Sequence, residues 1–442
     1  MAQVLEDKTK NVAYLGTVIP SLSATFIYRE ILEIERRGYS LHIYSLHRPD
    51  PKSLSAESLP LCARTYYLLP VRILRLLFAH FHYVSVHPIR YFRAIWKMLI
   101  PVHDRLKNRI RSLLHFGEGV VLAYKMEQDD ISHIHSHYAS QATSVARVIH
   151  LLTGIPYSFS AHAHDIWHDR LLLREKLDEA CFVSCCSSYG CRELSRRGNA
   201  GVEKKIHVIY HGIDVRHFIP PSVQRRNGNQ ILAVGRFDLM KGFSDLVTAC
   251  HYLQREGVMF QCCIVGGGEE MGNIESLVRK YGLAGRIHLP GAIPQERLLQ
   301  FYHEATIFTL PCISTRNGRH DGIPNVLVEA MATALPVVST PIGGIAELID
   351  HEKDGFLVKP GNTRELAARL KQLLQDAALR RRFAEAGRTK ICSRFDNQKC
   401  IEPLINLLER KCGLRSAKSD GRSELQDSMV DSEPDNRYAA LL

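Results

Sequence analysis

The feature that most constrains this chain is an alternation of short apolar runs with segments whose apolar residues recur at helical spacing. From Asn11, the run Val12 to Leu15 leads through a loop with Gly16 and Pro20 into a helical pattern ending near Gly38, and the run Leu41 to Leu46 follows. Strand, helix and strand in that order predict a parallel sheet, because parallel neighbours need a crossover. Further runs at Ile131 to His135, Tyr157 to Ser160 and Cys181 to Ser184 extend this into a doubly wound first domain, residues 1–212. A turn-rich stretch from His211-Gly-Ile-Asp214 through Pro220-Pro221 to Asn227-Gly-Asn229 then reads as a linker. A second series follows, with strands predicted at Gln230 to Val234, Gln261 to Val265, Ile287 to Leu289, Ile307 to Leu310 and Pro336 to Ser339. The expectation is an α/β chain of two Rossmann-like domains facing a central cleft, the second spanning 222–390. A closing helix, 391–414, is expected to return to the first domain, and the serine-rich charged tail 416–442 to be disordered.

Composition narrows the function classes. With 45% hydrophobic and 23% charged residues the 442-residue chain is globular, and 29 glycines with 19 prolines exclude a collagen-like or low-complexity polymer. The twelve cysteines are scattered without a C-x-x-C pair and read as reduced thiols. The acidic residues near Met1 are unlike a secretory signal, which predicts a cytoplasmic protein. The uncharged apolar window Leu76 to Ile89 is too short and too rich in histidine to span a bilayer.

A formal charge of +11 suits an anionic partner. Between Pro70 and His115, nine Lys and Arg residues alternate with Leu, Phe, Tyr and Trp96. This segment is either a pair of packed helices with a solvated basic face, or a peripheral contact of residues 70–115 with an anionic membrane; the two readings are compatible. Nucleic acid is not expected as a partner, since no aromatic RNA-binding strand, helix-turn-helix signature or zinc-finger spacing accompanies the cations.

Two stretches carry chemistry. In Arg319 to Ala332, Pro324 suits the first position of a helix, so Asp321 lies in the preceding loop and Glu329 on the second turn. Amide N–H groups near Asn325 and Val326 make an anion site, and the two carboxylates can accept bonds from hydroxyls on either side of it. The alternative is a capping Asp321 and a solvated Glu329. After the strand ending at Val234, Gly235 permits a turn, and Arg236 and Lys241 can project into the crevice to neutralise a diphosphate; the alternative is a pair of surface cations. Gly266 and Gly267 follow the next strand and permit close backbone approach to a ligand.

Gly235-Arg236 with Lys241-Gly242, Val265-Gly266, the acidic pair Asp321 and Glu329, His211-Gly-Ile-Asp214 and Thr340-Pro-Ile-Gly-Gly344 occur here in an order that resembles the retaining glycosyltransferases of family 4, which have the GT-B fold. Ile134-His-Ser-His137 and Ser160-Ala-His-Ala-His-Asp165 look most like exopolysaccharide enzymes of the colanic-acid type. The resemblance implies transfer of a hexose from a UDP- or GDP-sugar to a lipid-linked or oligosaccharide acceptor, with retention of configuration and no metal or other cofactor. Arg236 and Lys241 would hold the diphosphate, Glu329 the ribose and Asp321 the hexose. Gly235, Gly266, Gly267, Gly322, Asn325 and Val326 would line the donor site, and His162, Ser23 and Thr25 the acceptor side. Ala24 stands where those relatives carry an acid, and Asp321 where glutamate is commoner.

Other classes are an epimerase of the same fold, a basic binding module, and a non-catalytic partner subunit. The alternating His133, His135 and His137, with His162, His164 and His168 nearby in sequence, could serve as metal ligands, but no cysteine or carboxylate falls at a ligand spacing on a common helix, so no metal is expected.

Overall fold

A computed structural model describes residues 11–21, 24–50, 54, 58–100, 106–167, 171–221, 229–316 and 318–415. The first sheet contains β1 (Asn11–Val18), β2 (Leu41–His47), β3 (Tyr66–Tyr67), β4 (Ile131–His137), β5 (Tyr157–Ala161), β6 (Val183–Cys185) and β7 (Ile206–Val208), in the spatial order β3-β2-β1-β4-β5-β6-β7. The second contains β8 (Gln230–Val234), β9 (Gln261–Val265), β10 (Ile287–Gly291), β11 (Ile307–Leu310), β12 (Val337–Ser339) and β13 (Gly355–Leu357), in the order β10-β9-β8-β11-β12-β13. Every strand pair is parallel. The second order is the Rossmann one, and the fold is the expected α/β pair of Rossmann-like units.

Strands such as β8, β9 and β11 are near-continuous apolar runs because helices cover both faces of each sheet, whereas β4 carries buried Ser and His side chains. All four residues of β11 are buried, and Phe308 among them contributes about 1.5–3 kcal/mol through removal of its ring from water. Sequence periodicity misses β3, β7 and β13, each only two or three residues long, too short to display a period. The strand expected at Cys181 to Ser184 begins two residues later, at Val183.

The chain leaves the first unit beside the segment that comes back to it. The Ile213 amide donates to the Phe395 carbonyl at 2.9 Å, and the Asn397 amide to the Ile213 carbonyl at 2.9 Å. Gly212 has to be glycine, since a Cβ there would lie 2.4 Å from Asn397 Cα. A helix at Ala377–Arg394 precedes this crossing, and a helix at Glu402–Cys412 follows it. Leu404, Ile405 and Leu408 of the latter share a core with Val12, Tyr14 and Ile31 of the first unit. The tail 416–442 and Ser23 lie outside the described residues.

Candidate active site

In an open parallel sheet, neighbouring strands whose connections diverge leave a crevice at their carboxyl ends. In the second sheet that divergence falls between β8 and β11. The residue after β8 is Gly235, and a 3-10 turn at Leu239–Lys241 follows, capped by the Asp238 side chain on the Met240 amide. Gly242 ends that turn with φ +67°, and any Cβ there would strike the Pro311 carbonyl after β11 at 1.9 Å. Lys241 is thereby pinned beside the β11 loop, where its Nζ donates to Asp321 Oδ2 at 2.8 Å.

Eighty residues separate these two groups in sequence. Burial alone would lower the pKa of Lys241, but the Asp321 carboxylate outweighs it and holds the ammonium above its ordinary value. The Cys312 thiol, 3.7 Å from the same oxygen, is pushed up by burial and by Asp321 and stays protonated. Arg236 is mostly exposed and lies 3.3 Å from Asp238, which also holds Arg319 at 3.6 Å. Three cations therefore surround this end of the crevice. Arg319 was missed as a site residue, although its place two residues before Asp321 was a usable signal.

The helix at Asn325–Ala332 points its amino end into the same region. Pro324 is the N-cap residue rather than the first helical one, and no side chain caps the helix, so the Asn325 and Val326 amides are the expected free donors. The sequence Thr340-Pro-Ile-Gly-Gly344 packs on the loop before this helix. A Cβ on Gly343 would meet the Asp321 carbonyl at 2.1 Å, and the Gly344 amide donates to the Gly322 carbonyl at 3.1 Å.

Glu329 is not the solvated helical residue of the alternative reading. It is buried, and the Tyr302 hydroxyl donates to its Oε2 at 2.8 Å. Burial raises its pKa, against opposing pulls from Tyr302 and from Arg29 of the first unit. Of the glycines after β9, Gly266 has φ +143° and a Cβ would lie 1.8 Å from the Gly235 carbonyl, while Gly268 has φ +150° and would meet the Phe237 carbonyl at 2.6 Å. Gly267 has room for a side chain, so the structural requirement falls on Gly266 and Gly268.

From the first unit, His162 sits after β5 among Phe26, Tyr138, His137 and His211, with ring centroids 4.8, 4.5, 5.9 and 5.1 Å away. Burial, and then His211 and His137, hold its pKa well below the ordinary value, so the imidazole is neutral. Its backbone amide donates to Asp165 Oδ2 at 3.0 Å, and its Nε2 is buried without a hydrogen-bond partner. Thr25 begins the helix at Thr25–Arg36, half-buried, and Ala24 before it packs into the core.

The two units meet beside the donor loop. Trp167 and Tyr189 lie 4.0 and 5.5 Å from the His320 ring, and Glu347 accepts from the amides of Ser188 and Tyr189 at 2.8 and 2.7 Å and from the Tyr210 hydroxyl at 2.9 Å. Glu347 thus caps the helix at Ser188–Ser195 from the other unit, a contact no local pattern signals.

Folding also brings a cysteine and a carboxylate to the histidines, which sequence spacing did not foresee. His162, Cys186 and His211 place ligand atoms within 4.8 Å of one another, as do Glu30, His135 and His137. In the second set hydrogen bonds already occupy the groups: both His135 nitrogens meet Ser158 and Ser160 at 2.8 and 3.0 Å, and His137 Nε2 lies 3.0 Å from Glu30 Oε1.

Two Rossmann-type units meeting at a cleft, with cations and a helix start at the switch point of one of them, are the GT-B architecture. The model of Glycosyltransferase Family 4 matches residues 23–217, and that of Glycosyl transferases group 1 matches residues 215–390. The chain belongs to the family 4 glycosyltransferases. It is 27% identical over 435 residues to a putative colanic acid biosynthesis glycosyltransferase of Salmonella typhimurium, covering 90% of this chain and 99% of the relative. An amylovoran biosynthesis glycosyltransferase of Erwinia amylovora is 28% identical, covering 88% and 97%. Among solved structures, a sucrose-phosphate synthase from Thermosynechococcus elongatus has the same fold with a TM-score of 0.70 at 19% identity, covering 91% of this chain and 99% of that one. The Anabaena HepE protein in complex with UDP superposes with a TM-score of 0.67 at 15% identity, covering 90% and 100%. None of the described helices is long and apolar enough to cross a membrane.

Proposed function

We propose that this glycosyltransferase moves a hexose from a UDP- or GDP-sugar to a lipid-linked or oligosaccharide acceptor, with retention and without a metal, at the cytoplasmic face of the membrane during exopolysaccharide synthesis. The observation that carries the reading is the contact of Lys241 with Asp321 at the β8/β11 switch point, beside the open amino end of the Asn325–Ala332 helix. As the bond from the sugar to phosphate breaks, negative charge grows on the leaving diphosphate. Lys241 and the Asn325 and Val326 amides are donors in place to stabilise it without reorganising, and the exposed Arg236 adds a second positive charge. Asp321 orients hexose hydroxyls, Glu329 accepts from the ribose, and neutral His162 sits at the sugar beside the acceptor. The names of the relatives support polysaccharide synthesis, and the capture of UDP and UDP-glucose by HepE supports a nucleotide-sugar donor.

A thermal-shift screen against UDP- and GDP-sugars tests this. The correct donor at a hundred times its dissociation constant raises stability by about 2.7 kcal/mol, and no shift with any of them refutes the donor site. Turnover is expected to survive EDTA unchanged; strong inhibition would overturn the metal-free step.

A further inference from the structure

Three consecutive helices of the first unit are apolar on the wrong side. In the helix at Ile73–Val86, Ala79 and Tyr83 face the core, yet Leu74, Leu77, Phe78 and Phe81 form a stripe on the outside, with Leu74 77% exposed. In the helix at Pro88–Leu99, Tyr91, Ala94 and Met98 are buried while Ile89, Phe92 and Trp96 look outward, Ile89 at 82%. The first turns of the helix at Leu106–Gln128 repeat this with Leu106, Ile110, Leu113 and Leu114. Of the nineteen exposed large hydrophobic residues among the described ones, fifteen fall between Ile73 and Leu114. Scattered exposed hydrophobics are ordinary; a concentration on one run of helices marks an interaction face.

The charge of that face selects its occupant. Residues 70–115 hold nine Lys and Arg against one acid, Asp104. Lys97 turns inward to Glu179 at 3.2 Å, but Arg72, Arg75, Arg90 and Arg93 are exposed among the outward apolar residues. A second copy of the chain would bring like charges together. An anionic leaflet answers both features, with acyl chains for the stripes and headgroups for the cations. The face also continues inward as a cavity of about 560 Å³, whose walls include Leu74, Phe78, Val121 and Tyr124, with Arg75 and Lys125 beside them.

We propose that the outer face of these three helices is a docking surface for an anionic phospholipid bilayer, in which Phe81, Phe92 and Trp96 enter the acyl boundary and Arg72, Arg75, Arg90 and Arg93 engage lipid phosphates. The proposal goes beyond the transfer reaction, and its geometry stands without the donor assignment.

The test uses the full chain and sedimentation with vesicles of equimolar phosphatidylglycerol and phosphatidylethanolamine, compared with pure phosphatidylcholine. Binding is expected to the anionic vesicles and to weaken at least tenfold on the neutral ones. Replacing the four arginines with glutamine lowers affinity for the anionic vesicles by about a hundredfold or more, as several cations of about fivefold each imply. The triple variant Phe81→Ser, Phe92→Ser, Trp96→Ser abolishes binding while its melting temperature changes little, since these side chains are mostly exposed. Brominated lipid quenches tryptophan fluorescence in the wild type and much less in Trp96→Phe. Equal binding to neutral vesicles, no binding at all, or self-association that leaves vesicles unbound each overturns the proposal.

Discussion

Lys241→Ala lowers turnover by about a hundredfold or more, the usual cost of removing one preorganised electrostatic donor from a site where charge develops. The ammonium lies 2.8 Å from Asp321, held above its ordinary pKa by that carboxylate, and Gly242 leaves its backbone no alternative course. It is therefore charged and in place before a donor arrives. Asp321 retains some exposure, so water screens it once Lys241 is gone and the variant remains folded. A melting curve separates lost chemistry from lost fold. Lys241→Arg is expected to recover part of the rate, because it restores charge with a different reach. Arg236→Ala is expected to fall by the same order. If both alanine variants turned over like the wild type, the diphosphate role would be refuted. Hydrolysis of the donor by wild type but not by Lys241→Ala also separates an enzyme from a non-catalytic partner subunit.

The first unit is expected to lose stability in mild acid, above the pH at which unperturbed carboxylates titrate. Burial pushes His133 down to about 3 and His211 down to about 4, and it holds His135 and His162 well below the ordinary value. All four are neutral in the native state. The unfolded chain protonates them near pH 6.5, so below that pH it binds more protons than the folded one. Their stabilisation is complete above about pH 6.5 and drains away as the pH falls, each group contributing a slope of up to about 1.4 kcal/mol per pH unit. Together they remove several kcal/mol per unit from a total of about 5–15 kcal/mol, so the melting temperature is expected to collapse between about pH 6.5 and pH 5. Asp129 and Asp214 are held below the usual carboxylate range by Lys125 and Arg216 bonds that outweigh burial, so their loss comes later, at lower pH. Scans at stepped pH, read by circular dichroism, measure this. A melting temperature that stays flat across that interval would show that these histidines are not buried as neutral rings.

The site was legible in sequence where geometry is local. Position after a strand picks out Gly235, Gly266 and Gly267, but only at Gly266 would a Cβ strike a carbonyl of another loop; Gly242, which shows the same clash, enters only through the family motif. Asp321 and Glu329 were distinguishable as loop and helix residues because Pro324 marks a helix start, although it caps the helix rather than opening it. Glu329 could not be told from a solvated residue, since its burial comes from Tyr302 on another helix. Glu347 acquires its place only through the amides of a helix in the other unit, while Arg319, held by Asp238, is marked in sequence by its position two residues before Asp321. The basic segment is recognisable by composition, but not which of its residues face out: the structure turns Lys97 toward Glu179 and leaves Arg72, Arg75, Arg90 and Arg93 exposed together with Phe and Leu side chains.

The order of residues alone therefore determined which segments become most of the strands and helices, and which residue types were on hand for phosphate and hydroxyl recognition. Those properties follow from side-chain period and backbone freedom, which act over a few residues. Tertiary structure alone decided that β11 pairs with β8, and so that Lys241 meets Asp321 across eighty positions. It also decided that a row of histidines is sealed from water and that three apolar stripes are not. Strand order and burial depend on which distant surfaces come together, and the energy that selects them belongs to the whole packed molecule rather than to any stretch of its chain.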